Sequence, residues 1–169
     1  SLDLGCHVSG RYYLAGFVLL NRACFLVVCA VSREGENLAI EDMKGLHKRQ
    51  PVLAFILAVG LFALAGIPPF VGFMGKFMLL TGALKAGGGE STIYLLVVTL
   101  AAINTAIAIF YYLSVVRVAY TTDPEDRPEV TVDGLSKAVG VILVVLIIIM
   151  GTMPARFIAL ADTAVKGIM

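Results

Sequence analysis

The sequence predicts an all-α integral membrane protein with four transmembrane helices, the second of them discontinuous at Gly66 to Pro69. Three observations predict it. Of the 169 residues, 59% are hydrophobic and the mean hydropathy is +0.93; only 15% are charged; and the charges gather between long apolar runs. A soluble domain carries about 45–50% apolar and about 25% charged residues, so the surplus apolar side chains must face lipid. Thirteen Lys and Arg against twelve Asp and Glu leave a net charge of +1. That balance supplies neither a basic surface for nucleic acid nor an acidic field that steers cations, and partners are expected inside the bilayer.

The first run, residues 12–31, holds 20 positions with one charge, Arg22. At 1.5 Å per residue it measures about 30 Å, the thickness of the hydrocarbon core. The second run, residues 52–82, holds 31 positions with one charge, Lys76. A straight helix of that length would reach about 46 Å, so it must tilt steeply or break. Residues 92–116 supply 25 uncharged positions and residues 138–155 a further 18. All twelve acidic residues fall outside the four runs. On one side stand Arg33, Lys44, Lys48, Arg49, Arg117, Arg127 and Lys137, on the other Arg11, Lys85, Arg156 and Lys166. Seven against four places the 32–51 and 117–137 loops in the cytoplasm and both chain ends outside. Residues 1–169 read as one membrane domain. The start at Ser1, with no Met and no leader pattern, predicts a fragment of a longer chain.

Cofactor chemistry finds no foothold. Cys6, Cys24 and Cys29 have neither disulfide-framework nor metal spacing and are expected to be small packing residues. His7 and His47 lie in polar segments without partner ligands. There is no phosphate-cradling glycine loop, no Ser/His/Asp set and no pair of intramembrane histidines for haem. The chain is expected to hold no metal or cofactor and to perform no redox step.

The informative stretch is residues 64–77, LAGIPPFVGFMGKF. Pro68 and Pro69 have no N–H to give the carbonyls of Leu64 and Ala65, and Pro68 pushes Ile67 out of helical dihedrals. The helix must kink or end there, with Gly66 beside the break. Freed carbonyls at membrane depth are tolerated only against protein or a wet cavity, and the carbonyl end of a half-helix suits a cation. Lys76 follows two turns later and its side chain leans back toward the break. Gly72 and Gly75 are expected to leave room for water beside the ammonium, with Phe70, Phe73 and Phe77 keeping the flank dry. Taking an ammonium out of water disfavours its charged form, which a reversible proton carrier requires. Two plainer readings stand beside this one: a packing kink without ion binding, and an amine that snorkels to the interface as an anchor.

Arg22 is the second intramembrane charge and should face protein or water; backbone carbonyls, a missing subunit or Asn104 are its possible partners. Asn104 and Thr105 suit hydrogen bonding between helices, and Tyr111, Tyr112 and Tyr120 suit an interfacial belt. Residues 138–151 offer no polar side chain and predict a packing or lipid-facing helix. In the first loop, apolar residues at 38, 40, 43 and 46 suit a short amphipathic turn.

Residues 64–77 resemble the proton-translocating membrane subunits of respiratory complex I and their relatives among multisubunit cation/proton antiporters, most closely the subunit N (chain 2) branch of the NADH-quinone oxidoreductases. Glu41-Asp42 with Gly45-Leu46 and Pro51, Asn104 with Phe110-Tyr111-Tyr112-Leu113, and Tyr12-Tyr13-Leu14 with Asn21 extend the resemblance over residues 11–152. It implies the C-terminal part of a 14-helix antiporter-like fold in a bacterial inner membrane, with Lys76 on the proton path, Gly66, Pro68 and Pro69 forming the break, and Gly72, Gly75 and Asn104 supporting it. It further implies partners among the other membrane-arm subunits, with NADH, flavin, iron–sulfur clusters and quinone handled elsewhere in the complex. A sodium/proton antiporter or membrane-bound hydrogenase module, or a purely structural helical module, are the alternatives. Arg22-Ala23-Cys24 departs from the family's small neutral residues, Ser114 replaces a basic residue, and residues 1–10 match nothing in it. The family's first-repeat glutamate and lysine are absent, so the chain alone is not expected to pump.

Overall fold

The computed structural model describes residues 2–32, 39–86, 92–123 and 129–157, with residues 159 and 163. The glycine run 87–89, most of the proline-bearing connection after Asp123, and the side chains of Cys6, His7 and Lys85 lie outside the described residues. The described elements are all helical: α1 Leu2–Val31, a 3-10 turn Ile40–Met43, α2 Leu46–Arg49, α3 Pro51–Ala65, α4 Val71–Ala86, α5 Thr92–Thr121 and α6 Gly134–Thr152.

Three stretches are long and apolar enough to cross a membrane, Gly10–Val31, Thr92–Thr121 and Gly134–Thr152, while Pro51–Ala65 and Val71–Gly82 are apolar but shorter. The 31-residue run read from composition is thus divided, its helices separated by residues 66–70. Other boundaries shift for local reasons. Composition marks only where lipid contact ends, whereas helical hydrogen bonding continues into polar flanks. So α1 starts well before residue 12, and α5 continues past residue 116 through Arg117 to Thr121. α6 begins at Gly134, four residues before the apolar run, and stops at Thr152 short of residue 155. Pro154 follows the cap residue Met153 and cannot continue the ladder.

α1 packs along α3, α4 and α6, and α3 lies at the centre, also touching α5 and α6. Leu20 and Val27 of α1, Leu53 and Ile56 of α3, Val71 of α4 and Ile147 of α6 are fully buried. α5 joins this core only by its second half, through Tyr112, Val115, Val116 and Ala119. Its first half leaves Ile93, Leu96, Leu100, Ile103 and Ile107 exposed.

Two glycines bring backbones together. A Cβ on Gly72 would collide with the Ala63 carbonyl oxygen, and one on Gly151 would collide with the Pro69 carbonyl and the Phe70–Val71 peptide. α4 is thereby pressed against the end of α3, and the end of α6 against the 66–70 segment. Tyr12, buried in α1, donates its hydroxyl to the Met150 carbonyl beside Gly151.

The first loop is tied to α5. His47 lies with its Nδ1 3.0 Å from the Ala119 carbonyl and stacks on Tyr120 at 5.7 Å. Lys48 Nζ donates to Asp123 Oδ1 at 2.6 Å, and this hydrogen bond, then the lysine's charge, hold the Asp123 carboxyl below the usual aspartate range. A depressed carboxyl pKa contributes stability above the unfolded value of about 3.9 and loses it as pH falls through the lowered value. With both side chains exposed the contribution is small, so an Asp123→Asn variant is expected to match the parent in thermal stability at neutral pH. The glycines should behave otherwise. Gly151→Ala meets rigid backbone and is expected to cost about 1–3 kcal/mol, read as a lowered melting temperature of the full native chain in detergent. Gly82→Ala, which meets nothing within 4 Å, is expected to leave it unchanged.

Candidate functional site

The last four carbonyls of a helix lack donors within it. At the end of α3 these belong to Phe62, Ala63, Leu64 and Ala65. Gly66 turns left-handed, with φ 85° and ψ 37°, a conformation glycine adopts without the Cβ clash other residues suffer. This turn lets the Ile67 N–H reach the Phe62 carbonyl at 3.1 Å and the Gly66 N–H reach that of Ala63 at 3.1 Å, the paired closure of a Schellman motif. The next donors in a continuous helix would be residues 68 and 69, both proline. The donor comes instead from α4: Lys76 Nζ bonds to the Leu64 carbonyl at 2.9 Å and lies 3.5 Å from that of Ala65.

The ammonium therefore sits at the partially negative end of α3, where a cation is favoured. Its stem passes over Gly66, whose missing Cβ would stand 3.5 Å from both Cδ and Nζ of Lys76. The amine turns back toward the break rather than toward the Gly82 end of α4, which is where an interfacial anchor would place it. No carboxylate among the described residues pairs with Lys76.

Beside the amine lies a cavity of about 210 Å³, lined by Tyr13 and Phe17 of α1, Lys76 and Gly72 of α4, and Asn104, Thr105 and Tyr112 of α5. The Thr105 hydroxyl donates to the Ala101 carbonyl at 2.9 Å, leaving its oxygen lone pairs to accept. The lining thus mixes an ammonium, an amide and hydroxyl-bearing side chains, which water can bridge.

Several sequence expectations take different positions. Gly72 lines the cavity while its backbone is pressed against the Ala63 carbonyl, and Gly75 is absent from that lining, a Cβ there falling 2.7 Å from the Tyr13 ring. Phe73 and Phe77 stack on each other at 6.0 Å on an exposed face of α4 and do not line the cavity. Pro68 and Pro69 are themselves exposed on this chain, while the backbone beside them is covered by Gly151. Arg22 is exposed and bonds neither Asn104 nor any other described residue. Tyr13 and Tyr112 enter the lining although the belt reading set Tyr112 at the interface. Their spacing carried the information: 104, 105, 108 and 112 share one helical face, as do 13, 16, 17 and 20.

A family model described as NADH:quinone oxidoreductase/Mrp antiporter, transmembrane, matches residues 8–112. The chain is 49% identical over 148 residues to NADH-quinone oxidoreductase subunit N 2 of Opitutus terrae, covering 87% of this chain and 30% of that protein. It is 42% identical over 156 residues to the protein of the same name from Solidesulfovibrio magneticus, covering 92% and 32%. In structure it is similar to a chain of respiratory complex I from Thermus thermophilus with bound aureothin, with a TM-score of 0.76 at 26% identity over 88% of this chain and 33% of that one. The chain spans about a third of the length of these relatives.

If Lys76 supplies the missing donors, Lys76→Met should strand the Leu64 and Ala65 carbonyls at about 1–3 kcal/mol per unsatisfied group. The expected result is faster hydrogen exchange at the Gly66 and Ile67 amides of the full native chain, with Lys76→Arg nearer the parent. Unchanged exchange in the Lys76→Met variant would exclude the capping role.

Proposed function

Because this chain belongs to the NADH:quinone oxidoreductase/Mrp antiporter transmembrane family, we propose that it translocates protons as a non-redox membrane subunit of a proton-pumping NADH:quinone oxidoreductase, with Lys76 as the group that takes and releases them. One observation carries the reading: an ammonium placed on the carbonyls that two prolines leave without donors, at the edge of a cavity with polar lining.

α3 and α4 form one discontinuous crossing, so the chain has four. An even number of crossings puts both ends on one face, the outer face by the charge distribution, with the 32–51 and 117–137 loops cytoplasmic in a bacterial inner membrane. The remaining helices of a 14-helix antiporter-like fold belong to the rest of a longer polypeptide. NADH, flavin, iron–sulfur clusters and quinone are handled by partner subunits, and this chain contributes the proton path. Its relatives' names favour this assembly over a sodium/proton antiporter or a hydrogenase module.

Lys76 in its charged form holds two carbonyls by charge-assisted bonds, which are roughly twice as strong as neutral ones. Release of the proton to cavity water leaves a neutral amine whose grip on Leu64 and Ala65 is weaker. Protonation state and closure of the break are thereby linked through one nitrogen. Asn104, Thr105 and Tyr112 orient the water that receives the proton, and Gly66 keeps the path of the lysine stem open.

The test is Lys76→Ala in the assembled complex, scored as protons moved per quinone reduced in sealed vesicles. The expected result is a lowered ratio with NADH oxidation still present, and no recovery in Lys76→Arg, whose guanidinium can hold the carbonyls but does not release its proton. A parental ratio in the Lys76→Ala complex would remove the assignment.

A further inference from the structure

Arg22 lies on a side of α1 that is open to the surroundings. Ala15, Val18, Phe25 and Cys29 share that exposure, and their three- and four-residue steps align them with Arg22 in one stripe along the helix. Leu20, Ala23 and Val27 turn the other way, into the core. The guanidinium makes no hydrogen bond or ion pair with a described residue. The neighbouring Asn21 amide is engaged within its own helix, donating to the Phe17 carbonyl at 2.8 Å.

The position is deep. Leu20 lies beside Gly72 and Cys24 beside Gly60, so Arg22 stands level with the last turns of α3, close to the height of the break. From there the helix end at Val31 is about 13 Å away, and the start of the apolar stretch at Gly10 about 18 Å. Helical side chains lean toward the N-terminus, which aims the guanidinium along the longer of those routes. Headgroups are thus poorly placed to receive it, and a bare guanidinium among acyl chains is strongly disfavoured. The group that matches its planar fork is a carboxylate, engaged through two parallel N–H···O bonds. Every acid of this sequence lies outside the four apolar runs, and about two-thirds of each relative's length lies beyond the matched region.

We propose that the Ala15–Val18–Arg22–Phe25–Cys29 stripe of α1 is a docking surface for a transmembrane helix in the remainder of the full polypeptide, and that this helix presents an Asp or Glu carboxylate to Arg22 within the bilayer. The inference stands apart from the proton role of Lys76. Its partner is defined by charge, by depth and by an apolar face that accepts Val18 and Phe25.

Two variants of the full native chain in its membrane complex test it. Arg22→Leu strands the partner carboxylate, and the amount of assembled protein recovered from membranes is expected to fall several-fold. Arg22→Lys, treated with a membrane-permeant carbodiimide, is expected to form an amide between α1 and the partner helix. Peptide mapping should place it on an Asp or Glu in a transmembrane segment of the same polypeptide. An unchanged or raised amount of the Arg22→Leu protein, as a lipid-facing guanidinium would give, overturns the proposal. So does a cross-link to another subunit, or no cross-link.

Discussion

The bond from Lys76 to the Leu64 carbonyl joins the two short apolar helices across their interruption. Inside a bilayer each backbone carbonyl needs a donor from the protein or from a water-filled pocket. Two consecutive prolines withdraw both donors that a continuous helix would have offered. A left-handed glycine recovers two of the four exposed carbonyls, and a side chain twelve residues along the chain serves the others. The lysine is thus structural and ionisable at once. A group whose charge closes the end of a helix is one whose titration is felt by the backbone.

That arrangement depends on how closely the helices approach. Gly72 lets α4 come against the end of α3, which brings Lys76 within reach of Leu64. Gly151 lets α6 lie on the backbone of residues 69–71, and the Tyr12 hydroxyl on the Met150 carbonyl holds α1 to the same place. Three helices therefore brace one irregular segment. Backbone contact through glycine is the common way for helices to approach closely in lipid, where apolar side chains gain little from meeting each other.

The two sides of the chain differ in how they are finished. Toward the 39–50 loop, α5 is tied down by His47, Lys48 and the apolar side chains around Ala119. Toward its start, α5 presents an apolar surface and one side of the Lys76 cavity. α1 likewise presents a stripe interrupted by a single charge. The relatives that this chain matches are about three times as long as the chain itself.

Composition alone determined that this is a helical membrane protein, because a surplus of apolar residues in runs of bilayer length has no other stable placement. Local chemistry also located the interruption: Pro68 and Pro69 lack an N–H wherever they are. The direction of Lys76 followed from helix geometry, which depends only on neighbouring residues. What tertiary structure decided is which atoms meet across helices. Gly72 and Gly75 look alike in sequence, yet the first lies against the Ala63 carbonyl at the edge of the cavity and the second against the Tyr13 ring. Phe73 and Phe77 look like a wall around the lysine and instead stack on each other at an exposed part of α4. Tyr13 and Tyr112, far apart in the chain, share one cavity only because α1 and α5 both flank α3 and α4. Periodicity specifies a face of a helix, and the partner of that face is set by packing that no single segment encodes.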